Sequence, residues 1–221
     1  MNFPVIDRAR FIQDNTSVMA PSLVPEIRLH LAHEALPIWQ KTEDELGQAG
    51  LPPPFWAFAW AGGQALARFL LDHADIVRGR SVVDLASGSG IAGIAAMKAG
   101  SARVLAADID LFAVTAMTLN AKLNGVALEV TPEDLFGAEP PVTDVILVGD
   151  LFYEESLGAR CFDWLQKAEA LGIQCLIGDP LRSYLPRRGI EKIAEYLVPV
   201  TRDLEDSDIK RTAVWRLCRN C

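Results

Sequence analysis

The stretch Ser81-Val82-Val83-Asp84-Leu85-Ala86-Ser87-Gly88-Ser89-Gly90-Ile91-Ala92-Gly93 runs an apolar β-branched segment into a glycine-rich turn and then a small-residue helix. Glycines permit a tight turn and close backbone approach, and the first N–H groups of the following helix stay free to meet a ligand. The pattern predicts a nucleotide-binding lip at the end of a buried strand. A glycine pattern alone does not say which nucleotide.

Outward from this turn the chain alternates strand and helix. Ser81–Leu85 and residues 103–108 read as strands, each followed by a helix, Ile91–Lys98 and Leu111–Leu123. The second helix stops at Asn124-Gly125. A short strand at 127–130 precedes a continuous apolar strand at 144–149, as expected for a strand buried on both faces. A helix over 155–171 and a strand over 173–178 follow, then a helix around 190–196. Residues 197–201 and Ile209–Leu217 alternate like two paired strands joined by the acidic turn Glu205-Asp206-Ser207-Asp208. The fold class is α/β: a Rossmann-like, mostly parallel sheet with helices on both faces and a C-terminal antiparallel hairpin. Residues 1–60 differ from this core. Residues 5–19 read as a helix and 26–33 as a strand. Residues 41–50 are polar, and Phe55-Trp56-Ala57-Phe58-Ala59-Trp60 forms an aromatic cluster before a helix over 64–73. We expect 1–60 to be a substrate-facing extension of the same domain and 61–221 to be the core.

Bulk properties exclude several function classes. The 221 residues suit one sizeable domain, and a net charge of -8 opposes general nucleic-acid binding while tolerating a cationic substrate. The 4 cysteines, Cys161, Cys175, Cys218 and Cys221, form no C-x-x-C pair and read as reduced thiols. Charges at Asp7, Arg8 and Arg10 interrupt any signal-like apolar run, and no stretch has the length of a membrane span. A cytoplasmic location is expected. His30 and His33 are spaced so that a strand turns them to opposite faces, so no metal site is expected. Glu43-Asp44-Glu45 reads as a solvated face.

The acidic residues narrow the ligand. Asp108 ends the second strand about twenty positions past the glycine turn, where a carboxylate suits a ribose diol; Asp110 is the alternative. Asp84 lies inside the first strand, where a dinucleotide fold keeps an apolar side chain. There it would orient the glycine loop or answer a positively charged ligand, and it would repel a pyrophosphate.

Val83-Asp84-Leu85-Ala86-Ser87-Gly88-Ser89-Gly90 resembles the first motif of class I S-adenosylmethionine-dependent methyltransferases, whose sheet has seven strands. The resemblance implies S-adenosylmethionine as cofactor, held by Trp60, Asp84, Ser87, Gly88, Gly90, Asp108 with Ile109, and Asp134 with Leu135. Ala86 departs from the glycine that many members carry. Asp150-Leu151-Phe152-Tyr153 resembles the D-x-x-Y signature of a protein-lysine methyltransferase branch, which implies acceptor-side roles for Asp150 and Tyr153. The segments Val24-Pro25-Glu26-Ile27-Arg28-Leu29, Trp60-Ala61-Gly62-Gly63-Gln64-Ala65-Leu66 and Ile177-Gly178-Asp179-Pro180 are most similar to lysine methyltransferases of the electron transfer flavoprotein β subunit. A protein substrate is therefore implied, with no nucleic acid, membrane or metal partner. A small-molecule N-methyltransferase, an NAD-dependent oxidoreductase and a non-catalytic binding module are the rival readings. At single residues, Asp134 has the alternative reading of a turn cap, Asp150 that of a helix cap, and Asp179-Pro180 that of a plain turn.

Overall fold

The computed structural model describes residues 7–33, 35–46, 53–200 and 208–218. Its centre is a seven-stranded sheet built from β3 (Ser81–Leu85), β4 (Arg103–Ala107), β5 (Glu129–Thr131), β6 (Val145–Gly149), β7 (Gln174–Asp179), β8 (Ile190–Pro199) and β9 (Ile209–Leu217). The strand order is β5-β4-β3-β6-β7-β9-β8; β9 runs antiparallel to both β7 and β8. The chain leaves β3 toward one edge and returns through β6 toward the other, so the order reverses between β3 and β6. Ligands of open α/β sheets bind at that switch point, beyond the carboxyl ends of the strands.

Strand alternation explains the layering. Val82, Val145, Leu147 and Leu176 face α3 (Ala61–Asp72) and α4 (Ile91–Lys98). Val83, Leu85, Ile146, Val148, Cys175 and Ile177 face α6 (Glu155–Ala170). Both faces of β6 are covered, as its unbroken apolar run requires. The parity places Asp84 on the α4 side, where Gly93 opens space: a Cβ there would lie 3.1 Å from Asp84 Oδ2 and 3.2 Å from Val104.

The N-terminal part divides differently from the expectation, into two shorter helices and a small strand pair. α1 covers only Arg8–Asn15, and Ser17–Met19 is a strand, β1, paired antiparallel with β2 (Leu29–Leu31). Residues 26–28 fall outside β2, and polar residues 41–46 continue a helix, α2 (Ala35–Leu46). Residues 47–50 and the acidic turn at 205–207 lie outside the described residues. Phe11, Ile12, Trp56 and Phe58 pack with Phe112 of α5 (Leu111–Leu123). Asn120, fully buried on α5, accepts from His30 N and donates to Ser89 O, both at 2.8 Å, tying β2 to the glycine turn.

The helix expected at 190–196 is the first half of β8. A bulge between Lys192 and Ala194 resets the strand's alternation, so Ile193 and Ala194 both pack on the core. The extra residue gives apolar positions the spacing of a helix. Cys161 and Cys175 are free and buried, whereas Cys218 is disulfide-bonded, contrary to the expectation of reduced thiols throughout. Among the described residues no helix is long and apolar enough to cross a membrane, and no cluster of His, Cys, Asp and Glu is placed to hold a metal ion. His30 and His33 instead contact Thr16 and Ser17.

Candidate active site

A cavity of about 460 Å³ opens at the switch point, within the size range of small-molecule sites. Its floor is the turn after β3. Ala86, Gly88 and Gly90 all take positive φ (47°, 54° and 84°), and Gly90 forms the N-cap of α4. Asp84 is buried beneath, with Oδ2 accepting from Ser87 Oγ at 2.5 Å and Gly93 N at 2.8 Å. Burial pushes its pKa up to about 6, opposed by those two hydrogen bonds. Asp84 therefore shapes the glycine turn from within as well as lining the cavity.

Asp108 follows β4 and holds its neighbours in place: Gly88 N donates to Oδ2 at 2.9 Å and Asp110 N to Oδ1 at 3.0 Å. Its pKa is raised, chiefly by burial. Asp110 has a separate duty, capping α5 through Phe112 N at 2.8 Å. Ile109 stands between them on the wall, 72% exposed. Asp134 and Leu135 line the cavity too. The cap alternative is also realised, since Asp134 accepts from Phe136 N at 3.0 Å and pairs with Arg160 at 2.9 Å, which lowers its pKa.

The opposite wall comes from the loops after β6 and β7. Asp150, at φ 57°, is buried and does not cap α6, whose N-cap is Glu154. Its Oδ2 accepts from Gly62 N in the first turn of α3, and its Oδ1 accepts from Arg182 Nε at 2.8 Å, with Nη2 also at 2.8 Å. Tyr153 stacks at a tilt on Phe55, 5.4 Å between centroids; burial raises its pKa. Trp60 donates Nε1–H to Phe55 O at 2.9 Å, and the Arg182 guanidinium sits 5.9 Å over its ring. Asp179 is fully buried outside the cavity, with Oδ1 accepting from Arg182 N at 2.7 Å. Burial pushes its pKa up to about 7.

Every anticipated site residue except Gly90 lines this one cavity. Gly90 lies behind the wall, where a Cβ would meet Met117 at 3.3 Å; it serves turn and packing. Arg160 and Arg182 line the cavity without having been anticipated. The only sequence signal for Arg182 was the Gly178-Asp179-Pro180 turn just before it.

Asp84, Asp108, Asp110, Glu133, Asp134 and Asp150 line the cavity against Arg160 and Arg182. An acidic excess beside the start of α4 fits a ligand bearing sulfonium, ammonium and ribose groups. It disfavours the pyrophosphate of a dinucleotide.

The sequence matches the family described as ribosomal protein L11 methyltransferase (PrmA) over residues 65–149. The electron transfer flavoprotein beta subunit lysine methyltransferase of Rattus norvegicus is 38% identical over 212 residues, which is 93% of this chain and 82% of the rat protein. The Danio rerio protein of the same name is 38% identical over 222 residues, covering 97% and 84%. Among solved structures, magnesium protoporphyrin IX methyltransferase from Synechocystis PCC 6803, with S-adenosylmethionine bound, superposes with a TM-score of 0.52 at 16% identity. That match covers 71% of this chain and 78% of that one and speaks to the fold. S-adenosylmethionine is the cofactor. The chain belongs to the electron transfer flavoprotein β subunit lysine methyltransferase family and is an S-adenosylmethionine-dependent protein-lysine methyltransferase.

Proposed function

We propose that the chain methylates a lysine on the folded electron transfer flavoprotein β subunit, with both reaction partners meeting in the cavity between β3 and β6. The observation that carries this reading is the meeting of two walls in one pocket. The glycine turn and Asp108 stand on one side, Asp150 and Tyr153 on the other. The substrate assignment draws on the high coverage of the relatives so named. The mouth also favours a macromolecular acceptor. Ile109, Tyr153, Leu181 and Tyr184, on the loops after β4, β6 and β7, and Leu111, at the start of α5, are exposed apolar side chains. Such a rim at a pocket mouth suits docking of a protein surface.

S-adenosylmethionine, when bound, supplies a methyl group already activated on a sulfonium. Asp108 holds the ribose hydroxyls, with Ile109 beside it; Trp60, Ser87 and Gly88 with Asp84 behind them hold the amino-acid end, and Asp134 with Leu135 the adenine. Gly90 sets the turn. The acceptor poses the harder problem: with a pKa of about 10.4, deprotonating a lysine at pH 7 costs about 4–5 kcal/mol. Burying the amine among Phe55, Trp60 and Tyr153 disfavours its charged form. Asp150, with Arg182 on Oδ1 and Gly62 N on Oδ2, is itself held in place, and as a carboxylate at the cavity wall it is the group that would accept from the amine and fix its direction. We assign Asp150 to positioning and Tyr153 to the wall. We assign residues 1–60 to a substrate-facing extension of the same domain and 61–221 to the core, with Phe55 and Trp56 of the extension lying against Gly88 of the glycine turn.

Asp108→Ala should lose most S-adenosylmethionine affinity in calorimetry, and Asp150→Ala should retain the cofactor while losing methylation. Purified enzyme, cofactor and the flavoprotein β subunit should give methylated lysine by mass spectrometry. Label from tritiated cofactor confined to small molecules in a cell extract would overturn the substrate assignment.

A further inference from the structure

We propose that Arg182 is a positioning residue whose guanidinium offsets the charge of Asp150, so that this carboxylate orients the acceptor amine without holding it as ammonium. The inference rests on the reading that Asp150 meets the amine. Arg182 places Nε and Nη2 each 2.8 Å from Asp150 Oδ1, in a fork that a lysine cannot reproduce. Gly62 N occupies Oδ2 from the start of α3, adding the positive end of a helix dipole. Arg182 is itself fixed: its backbone N–H is held by Asp179 at 2.7 Å, after Leu181 at φ 66°, and its guanidinium lies over Trp60. Asp150, Arg182 and Trp60 border the cavity, so the charge balance of the pair acts where the acceptor must sit.

A bare carboxylate beside an amine stabilises the protonated form and raises its pKa by about 1–3 units. A methyl acceptor needs its lone pair, so an uncompensated Asp150 would oppose the reaction it orients. With Arg182 in place, the pair offers the amine a hydrogen-bond acceptor with little net field. The other ionisable groups around the site are Tyr153 beside Asp150, Asp179 behind Arg182, Asp84, Asp108, Asp110, Glu133 and Asp134 across the cavity, and Arg160 of α6. The first turn of α3 brings none. Tyr153 has a raised pKa and stays neutral through neutral pH, and Asp179 is ionised above about pH 7.

The test is the pH dependence of kcat, at saturating cofactor and saturating protein acceptor, from pH 7 to about 9.5, because kcat reports ionisations within the bound complex. For Arg182→Ala, the rising limb should move up by at least about one pH unit. That is about a tenfold loss at pH 7 that shrinks as pH rises, with KM not increased. Arg182→Lys keeps the charge and should shift the limb by less than half as much. Arg182→Gln serves as a second neutral variant, and calorimetric binding of S-adenosylmethionine reports that each variant is folded. In an Asp150→Asn background, Arg182→Ala should produce no shift. A loss uniform across pH, or a raised KM with an unmoved limb, would overturn the inference by reducing Arg182 to a structural ion pair. Wild-type activity in Asp150→Asn alone would instead overturn the reading of Asp150 on which it rests.

Discussion

Replacing Gly62 with alanine sets two effects of opposite sign against each other. Gly62 is in the first turn of α3, and alanine is the better helix former by about 0.8–1 kcal/mol. On propensity alone the variant gains stability. The structure opposes this: an added Cβ falls on the Gly178 carbonyl oxygen, well inside 3.0 Å, and lies 2.8 Å from both Asp150 N and Asp150 Oδ2. The closest obstacle is backbone, held in β7 between β6 and β9, so no rotamer change can relieve it. The helix start must retreat by far more than a few tenths of an ångström. Overpacking of this kind costs about 1–3 kcal/mol or more. The retreat also stretches the Gly62 N–H bond to the Asp150 carboxylate, a charge-assisted bond worth about 1.5–3 kcal/mol. Packing wins, and the net expectation is a loss of about 2–4 kcal/mol, or roughly 5–15 °C in Tm for a chain of this size. Urea denaturation measures it, with Gly137→Ala as the control, since a Cβ there meets nothing within 4 Å. A Gly62→Ala midpoint equal to or above wild type, with the control unchanged, refutes the reasoning.

Three further outcomes follow from the same geometry. Asp84 and Asp179 sit at about 6 and about 7 against 3.8 for a free carboxyl, so the native state holds more protons than the unfolded chain between those values. Their contribution to stability is fullest below about pH 4 and is lost as pH rises through 6 to 7; Asp179→Asn should flatten the fall in urea midpoint between about pH 5 and 8, and an equal fall would count against it. Asn120→Ala leaves His30 N–H and Ser89 C=O without their buried partner, for an expected loss of about 2–4 kcal/mol. Hydrogen exchange at His30 should quicken; unchanged protection there would show that β2 does not depend on this side chain. Ala86→Gly relieves a left-handed alanine worth about 1–2 kcal/mol and forfeits about 0.5–1 kcal/mol of chain entropy. A small gain in Tm is expected, and a clear loss would contradict the strain.

What the sequence discloses here depends on distance along the chain. Asp84, the glycine turn and Asp108 lie within one strand-helix-strand unit, where spacing fixes geometry, so their shared cavity was foreseeable. β8 was hidden by a single bulge, because one inserted residue at 193 turns a period of two into the spacing of a helix. β1 was hidden because Ser17–Met19 becomes a strand only by pairing with Leu29–Leu31. Asp150 could be placed at the functional edge, yet its partners could not. Gly62 and Arg182 reach it from 88 and 32 residues away, through a sheet order in which β6 and β7 are neighbours.

The start of α3 is the piece that joins the two halves of the site. Gly62 faces Gly178 and Asp150 on the acceptor side, while a Cβ on Gly63 would meet Ile91 Cγ2 at 2.9 Å, on the helix that begins at the glycine turn. Gly149 closes the same contact, with a Cβ position 3.1 Å from the Gly63 backbone. Small residues on three elements thus let one helix turn wedge between the cofactor side and the acceptor side with almost no intervening atoms. In-line methyl transfer demands that donor and acceptor be aligned to within a fraction of an ångström. A spacer made of backbone, with its N–H on Asp150 and its flank on Ile91, fixes that separation more stiffly than side chains, which can change rotamer. The Trp60-Ala61-Gly62-Gly63 segment therefore acts on alignment, and its glycines are required by the narrowness of the gap they fill.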